Sequence, residues 1–324
     1  MNTKDRFKGA MFGMAAGDAL GTTVEFQARG TFKPVTTIVG GGVFGLNAGD
    51  WTDDTSMGLC IAESLGKRKC FDPAHQMDLF LEWWARGHNS SRPDKGCFDI
   101  GTTTRAALRG WKFHKQMADH VDQLNPFQGD TDLSTAGNGC IMRLAPVPLF
   151  FHEFSDYDIA QYSMMSSRTT HAALTCLQSS AFLGLLIAKA TQGGSKGAMY
   201  TEAADFMNRE FDLHPHVKEV VDGSFLTKPE SLVSGAGYVV TTLEAALWAF
   251  YRTDNFRDGA LMVVNLGNDA DTTGAVYGQI AGAYYGYEGI PKEWRDILSR
   301  KDIINKFTEN LYKAAKENAT DART

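Results

Sequence analysis

The chain has 324 residues, of which 43% are hydrophobic and 22% are charged. This composition is that of a folded globular protein and excludes a disordered or collagen-like chain. The formal net charge is −6 and no block of Lys and Arg occurs. We therefore expect neither direct nucleic-acid binding nor a membrane-binding patch.

The cysteines and the apolar segments indicate the compartment. The five cysteines are an odd number and include no C-x-x-C pair, which is typical of reduced thiols rather than of a disulfide framework. Asp18 interrupts the apolar patch near the N-terminus before a secretory or membrane-spanning segment can form. The most apolar run, residues 181–188, is too short to cross a bilayer. These features predict a cytoplasmic protein.

Glycines recur every four residues in two segments. They are Gly13, Gly17 and Gly21 near the N-terminus and Gly274, Gly278 and Gly282 near the other end. Glycine is costly inside a helix, so a helix face made of glycine is expected to press against another backbone. We predict that the two glycine-faced helices lie side by side, and that their contact fixes the acidic residues at the start of the second helix.

A formal G-x-G-x-x-G motif at residues 40–45 follows a short β-like run. No amphipathic helix comes after it, so we expect a mobile loop beside the acids rather than a dinucleotide-binding turn. No Walker A, H-E-x-x-H or G-x-S-x-G motif occurs in the sequence. The sequence therefore contains no motif that would indicate phosphoryl transfer by a P-loop or hydrolysis by a nucleophilic serine.

Further segments predict amphipathic helices. Asp72 and Pro73 form an N-cap and first-position pair ahead of an apolar stripe that ends at Gly87. Similar stripes follow at residues 100–111, at residues 155–162 behind a capping box, and at residues 200–211. Period-two alternation is almost absent. We therefore predict an all-α fold that forms a single domain over residues 1–324.

Two short stretches concentrate acids at predicted helix starts. They are Thr52, Asp53 and Asp54 in the first stretch and Asp269, Asp271 and Thr272 in the second. Helix capping would explain one such side chain at each start, and for either stretch alone it is the better explanation. If both stretches share a pocket, the like charges must be protonated or balanced by a cation. Mg²⁺ and Mn²⁺ prefer such oxygen ligands, so the pair favours a metal site.

These motifs together resemble the ADP-ribosylglycohydrolase family, in particular the dinitrogenase-reductase-activating glycohydrolase and the ADP-ribosylarginine hydrolases. The resemblance is carried by G-M-A-A-G-D-A-L-G at residues 13–21, Glu25, T-D-D-T at residues 52–55, G-N-G at residues 137–139, Met142-Arg143, Ala145-Pro146, and Asp269-x-Asp271-Thr272. It implies a compact orthogonal helical bundle. It also implies hydrolysis of the N-glycosidic bond between ADP-ribose and a protein side chain, with arginine favoured.

The resemblance also implies roles for individual residues. A pair of divalent cations, Mg²⁺ or Mn²⁺, would be held by Thr52, Asp53, Asp54, Asp269, Asp271 and Thr272. Glu25 and the aspartates of this set would form the catalytic group. The loop of Gly137, Asn138 and Gly139 would wrap the diphosphate and ribose, because glycines expose backbone N–H groups. His171 would contact ADP-ribose without acting as a general base.

Structural explanations stay open for several of these residues. Glu25 could be a partly exposed acid at a helix end, residues 137–139 could form only a turn, and His171 could be a half-buried histidine with satisfied hydrogen bonds. Asp18 is expected to be structural. Asp99 either caps the helix that begins there or binds, as an outward-pointing acid at the pocket mouth, a guanidinium leaving group.

Other functions also stay open. The enzyme could act on serine-linked or O-acetyl-ADP-ribose, or it could be a metal-dependent phosphodiesterase. A catalytically silent ADP-ribose-binding protein or a purely structural protein could keep the same fold, although the complete set of acids weighs against a silent binder. The expected partners are an ADP-ribosylated protein as substrate and ADP-ribose as product.

Overall fold

A computed structural model describes residues 1–118 and 124–321. Within these ranges the regular structure is helical, and no strand is longer than an isolated β-bridge, which confirms the predicted all-α class. The helices are α1 (Thr3–Gly21), α2 (Asp53–Arg68), α3 (Pro73–Arg86), α4 (Thr102–Met117), α5 (Pro146–Phe150), α6 (Asp156–Arg168), α7 (Leu174–Gln192), α8 (Lys196–Glu210), α9 (Pro215–Val221), α10 (Ser224–Thr227), α11 (Val239–Arg252), α12 (Phe256–Val264), α13 (Ala270–Tyr285), α14 (Lys292–Ile297) and α15 (Lys301–Asp321).

Helices α1 and α13 pack with their backbones in contact. A β-carbon added to Gly13 would overlap the carbonyl oxygen of Gly278, and one added to Gly17 would overlap that of Gly274. Each of these glycines is therefore required by the close approach of the other helix rather than by a turn. The predicted side-by-side arrangement of the two glycine faces is confirmed.

The same contact fixes the relative direction of the two helices. Gly9 faces Gly282 at one end of the contact and Gly21 faces Ala270 at the other, so the helices run antiparallel. The last turn of α1 consequently lies beside the first turn of α13. Every residue of α1 from Gly9 to Gly21 is buried, which makes this helix part of the centre of the core.

The boundaries of α3 and α6 follow the predicted capping residues. Asp72 accepts a hydrogen bond from the backbone N–H of His75 at 2.9 Å, and Gly87 ends α3 in the left-handed conformation. Ser155 accepts the backbone N–H of Asp158 at 3.2 Å at the start of α6. Both predicted helix starts are confirmed.

The glycine-rich segment at residues 40–45 forms a turn that leads into a loop. Gly41 and Leu46 close it through two backbone hydrogen bonds of 2.8 and 2.9 Å. Thr23, which follows α1, donates its hydroxyl to the Gly40 carbonyl at 2.9 Å. As predicted, the segment does not enter a helix, so it lacks the geometry of a dinucleotide-binding turn.

Helix α7 extends the apolar run beyond residues 181–188. An 18-residue window of this 19-residue helix has a mean hydropathy of 1.3, so by length and composition alone the helix could cross a membrane. In the fold, 89% of that window is buried inside the protein. Such burial is usual for a helix in the middle of a helical core.

Replacing Gly278 with alanine should force α1 and α13 apart, because the new methyl group would overlap the Gly13 carbonyl oxygen. We expect the free energy of unfolding, measured by urea denaturation, to fall by about 1–3 kcal/mol, the usual cost of overpacking. Gly197 in α8 is the matched control, since a β-carbon there meets no atom within 4 Å. Gly197→Ala should leave stability unchanged or raise it slightly. Equal losses in both variants would contradict the close contact.

Candidate active site

Both acidic stretches border one cavity of about 320 Å³. Of the residues predicted from the sequence, it is lined by Glu25, Asp53, Asp99, Gly137, Asn138, Gly139, His171, Asp269, Asp271 and Thr272. The two remaining predicted metal ligands, Thr52 and Asp54, are buried beside it, and the Thr52 hydroxyl lies 3.4 Å from an oxygen of Asp271. The structure thus brings the two predicted clusters together.

The first turn of α2 is capped by a residue of α1. Asp18 accepts hydrogen bonds from the backbone N–H groups of Thr52 and Thr55, at 3.0 and 3.1 Å, and from both threonine hydroxyls. Thr52 is the N-cap residue by position, yet its side chain makes no capping bond. Asp18 is therefore structural, as predicted, and it leaves the carboxylates of Asp53 and Asp54 free from capping.

The first turn of α13 likewise has an acid at its N-cap position that does not cap it. Asp269 occupies the N-cap position without a side-chain capping bond, and its Oδ2 accepts a hydrogen bond from Nδ2 of Asn138 at 2.7 Å. Asp271 Oδ1 accepts the backbone N–H of its neighbour Thr272 at 2.8 Å. Hydrogen bonding to the free N–H groups of a helix start thus involves only Asp271 among the acids of the two stretches, and it does not account for the others.

The Thr52 hydroxyl lies among three carboxyl groups. Its oxygen is 3.0, 3.2 and 3.4 Å from carboxylate oxygens of Asp18, Asp54 and Asp271. A hydroxyl has one proton, so it can donate to only one of the three. The other carboxylate oxygens need protons or a cation to offset their mutual repulsion.

A second group of carboxylates meets on the cavity side. One oxygen each from Glu25, Asp99 and Asp271 lies within 4.8 Å of the other two, an arrangement that could hold a metal ion. Oε2 of Glu25 and Oδ1 of Asp54 are buried, and neither has a hydrogen-bond partner among the described residues. Burying such an oxygen unpaired is costly. The donor set, made of carboxylate and hydroxyl oxygens, fits a hard divalent cation.

Burial raises the pKa values of the carboxyl groups in this cluster. The pKa of Glu25 is raised to about 9, that of Asp99 to about 7 and that of Asp18 to about 6, in each case chiefly by burial. Nearby carboxylates add to the effect for Glu25 and Asp99. Burial is likewise the first cause of the raised pKa values of Asp53, Asp54 and Asp271. A cluster without cations therefore retains protons near neutral pH.

The structure corrects the predicted placement of Asp99. Helix α4 begins at Thr102 with Gly101 as its N-cap residue, so Asp99 does not cap it. The backbone of Asp99 is left-handed, with φ 59°. One oxygen of its carboxyl group lies within 4.8 Å of oxygens of Glu25 and Asp271, and the residue lines the cavity. The predicted cap is wrong, because a left-handed residue redirects the chain just before the helix. The predicted contact between Asp99 and a guanidinium stays a prediction.

The loop at residues 137–139 borders both the acids and the histidine. The Asn138 side chain is hydrogen-bonded to Asp269, so it positions an acid. A β-carbon added to Gly139 would lie 2.7 Å from Cε1 of His171, too close for any side chain without movement of the ring. Glycine at this position therefore keeps the ring and the cavity in place.

His171 is buried, with 3% of its surface exposed. The structural alternative left open from the sequence, a half-buried histidine, is therefore wrong about its exposure. Burial, and next the positive charge of Arg143, lower the pKa of His171 to about 3. A ring with so low a pKa is neutral at physiological pH and is a poor proton acceptor. This property is compatible with a ligand contact and does not favour general-base catalysis.

Phe26 also lines the cavity, and its sequence context predicts no role for it. Its side chain is 64% exposed and its backbone is left-handed, with φ 60°. Two backbone hydrogen bonds hold this conformation, from Phe26 N–H to Asn268 and from Asn268 N–H to Gln27, at 2.6 and 2.7 Å. In the sequence, its position next to Glu25 is the one feature that indicates that Phe26 lies at the site. Residues 102–104, which the sequence placed only in a helix with an apolar stripe, also line the cavity.

The chain is similar to several known proteins. It is 40% identical over 313 residues to the ADP-ribosylarginine hydrolase Tri1 of Serratia proteamaculans, covering 97% of this chain and 80% of that protein. It is 32% identical over 305 residues to the ADP-ribosyl-[dinitrogen reductase] glycohydrolase of Rhodospirillum rubrum, covering 92% and 91%. A solved chain described as an ADP-ribosylglycohydrolase-related protein complex matches with a TM-score of 0.83 and 40% identity, covering 97% of this chain and 99% of that one.

The helical fold and its carboxylate-lined cavity, together with these similarities, define a hydrolase of glycosidic bonds. The family model described as ADP-ribosylglycohydrolase matches residues 1–321. The chain belongs to the ADP-ribosylglycohydrolase family. This result confirms the resemblance inferred from the motifs and the enzyme class that it implied.

Without bound cations, the protein should become less stable as the pH rises. In the folded state Asp18, Asp99 and Glu25 have pKa values of about 6, 7 and 9. In the unfolded chain such groups lose their protons near pH 4, at about 3.9 for Asp and 4.3 for Glu. The folded state thus binds more protons over this interval, and stability falls with rising pH.

This expectation can be checked by measuring Tm of chelator-treated protein at a series of pH values from about 5 to about 9. Tm should decline across the series. The control is the same series with excess Mg²⁺ or Mn²⁺, which should flatten the decline by replacing protons at the carboxylates. A chelator-treated protein whose Tm rises over this range would contradict the assignment of raised pKa values.

Proposed function

We propose that this protein removes ADP-ribose from arginine side chains of modified proteins, and that its cavity holds a pair of divalent cations, Mg²⁺ or Mn²⁺. The observation that carries the metal part is the meeting of both acidic stretches at one cavity. Two buried carboxylate oxygens of this group, Oε2 of Glu25 and Oδ1 of Asp54, have no hydrogen-bond partner within the described residues. The arginine linkage is supported by relatives at 38–40% identity that are named ADP-ribosylarginine hydrolases.

The cation ligands would come from the two helix starts and the adjoining loops. They would be Thr52, Asp53, Asp54, Asp269, Asp271 and Thr272, with Asp99 added because an oxygen of its carboxyl group lies within 4.8 Å of one of Asp271. Bound cations would neutralise the clustered carboxylates and supply Lewis acidity toward ribose hydroxyls and a water molecule.

The protein's own groups bind and orient the substrate. The loop at residues 137–139 offers space and backbone N–H groups for the diphosphate. The carboxylates stabilise the positive charge that develops at the anomeric carbon as the bond breaks. We assign Glu25 to the proton of the attacking water, because Glu25 lines the cavity and its carboxyl group has an oxygen, Oε2, without a hydrogen-bond partner among the described residues.

Chelation should abolish hydrolysis of ADP-ribosylated arginine and lower Tm, because the cations bind only the folded cavity. Both quantities are measured before and after EDTA treatment and again after Mn²⁺ or Mg²⁺ is added back. Asp53→Asn and Asp271→Asn should each lower turnover by more than about a hundredfold, since even groups that only support metal ligands cost 10- to 100-fold. Their helical circular dichroism should stay unchanged.

Asp72→Asn is the matched control for these variants. It makes the same acid-to-amide change at the start of α3, where asparagine also caps a helix, so activity and metal content should match the parent. Full activity in EDTA-stripped protein that contains no metal would refute the proposed metal site.

Asp99→Asn separates two roles for Asp99. If the carboxylate helps to hold a cation, as its position beside Asp271 indicates, the variant should lose bound metal and lose activity on every ADP-ribose linkage alike. We expect this result. A guanidinium-binding Asp99 would instead keep the metal content and lose about ten- to a hundredfold in kcat/KM on arginine-linked substrate alone.

The measurements are the metal content per protein chain and kcat/KM on arginine-linked, serine-linked and O-acetyl-ADP-ribose. The parent enzyme run on the same substrates tests the arginine preference. A parent that prefers the serine linkage would reject the arginine assignment and leave the metal site untouched.

A further inference from the structure

Arg143 is a buried arginine whose side chain meets no acid. It has no exposed surface, and no carboxylate among the described residues forms an ion pair with it. Its Nη2 donates instead to the hydroxyls of Thr170 and Thr169, at 2.6 and 3.3 Å, and its guanidinium carbon lies 4.8 Å from the centre of the Phe80 ring. Burying a charge among neutral partners is costly. The cost suggests a role for Arg143 beyond packing.

The hydroxyl of Thr170 connects this arginine to His171. A guanidinium only donates hydrogen bonds, so the Thr170 oxygen must act as the acceptor toward Arg143. The Thr170 oxygen lies 2.8 Å from Nδ1 of His171. If Nδ1 carried a proton, the buried Thr170 hydroxyl would have no acceptor for its own proton, which is unfavourable. Thr170 therefore donates to Nδ1, and a neutral ring then carries its proton on Nε2.

The Nε2 side of the ring faces the loop at residues 137–139. A β-carbon added to Gly139 would lie 3.1 Å from Nε2, and one added to Gly137 would lie 3.7 Å from it. His171 lines the cavity. No residue in the described ranges accepts a hydrogen bond from Nε2. The ring therefore presents one unpaired donor beside the loop that borders the cavity.

We propose that Arg143, acting through Thr170, is a positioning residue that fixes His171 as its Nε2-protonated neutral tautomer, so that the ring donates a hydrogen bond to an oxygen of ADP-ribose. The proposal rests on the proposed function for the identity of the ligand. The opposite tautomer would turn a lone pair toward the ligand oxygens and repel them. A neutral donor also leaves the charge balance between the acids and their cations unchanged.

The tautomer is measured directly by NMR of protein labelled with ¹⁵N at histidine, because the shifts of the two ring nitrogens show which one carries the proton. The parent should give the pattern of a neutral ring protonated at Nε2. Thr170→Val removes the hydroxyl and should abolish this preference. Its affinity for ADP-ribose, measured by calorimetry, should fall about three- to tenfold, the effect of one misplaced hydrogen bond.

Two further variants distinguish the effect of the Thr170 hydroxyl on His171 from a general packing defect. Thr170→Ser keeps the hydroxyl and should restore both the tautomer and the affinity of the parent. Thr169→Val removes the other hydroxyl that Arg143 contacts, which has no bond to His171, and should leave the tautomer unchanged. A Thr170→Val variant that keeps the parent tautomer and affinity would overturn the proposal.

An Nδ1-protonated or charged ring in the parent at neutral pH would overturn it as well. Failure of the parent to bind ADP-ribose would reject the ligand and with it the proposed function. In that case the ring spectra of the same variants would still decide whether the Thr170 hydroxyl that Arg143 contacts fixes the tautomer, so the two failures can be told apart.

Discussion

The backbone contact between α1 and α13 is the constraint on which the site depends. Glycines on both helices let the two backbones approach more closely than any side chain would permit. This approach places Asp18, near the end of α1, beside the start of α13. The Thr52 hydroxyl then lies within 3.4 Å of both Asp18 and Asp271. An apolar packing feature thus sets the distances between charged oxygens.

Hydrogen bonds from the protein satisfy only some of the clustered carboxylate oxygens. Asp18 receives hydrogen bonds from Thr52 and Thr55, and Asp269 receives one from Asn138. Oε2 of Glu25 and Oδ1 of Asp54 have no hydrogen-bond partner in the part of the chain that the structure describes, and burial together with neighbouring carboxylates raises the pKa of Glu25. Clustered buried carboxylates lower the stability of a fold, so a fold optimised for stability alone would not contain them. Their presence indicates that the surrounding packing holds these carboxylates in place for binding and chemistry.

Features with a regular spacing were predictable from the sequence, and features that depend on one backbone angle were not. The four-residue glycine period identified the contact between α1 and α13, and the adjacent acids identified the cavity, because helix geometry turns spacing directly into position. Asp99 was misplaced because nothing in its neighbours signals a left-handed residue ahead of α4. The exposed ring of Phe26 was missed for the same reason. The cap that Asp18 provides lies 34 residues from Thr52, so it exists only after the helices have docked.

That cap has a consequence for how the site assembles. Helix starts usually fray on their own, because their capping residue is local and opens with them. The hydrogen-bond acceptor for the first turn of α2 is instead Asp18 of α1. The backbone N–H groups of Thr52 and Thr55 are therefore protected only while α1 remains docked. Assembly of the carboxylates is thereby tied to formation of the central helix pair. The repulsive groups reach their final distances only once the core that restrains them has already formed.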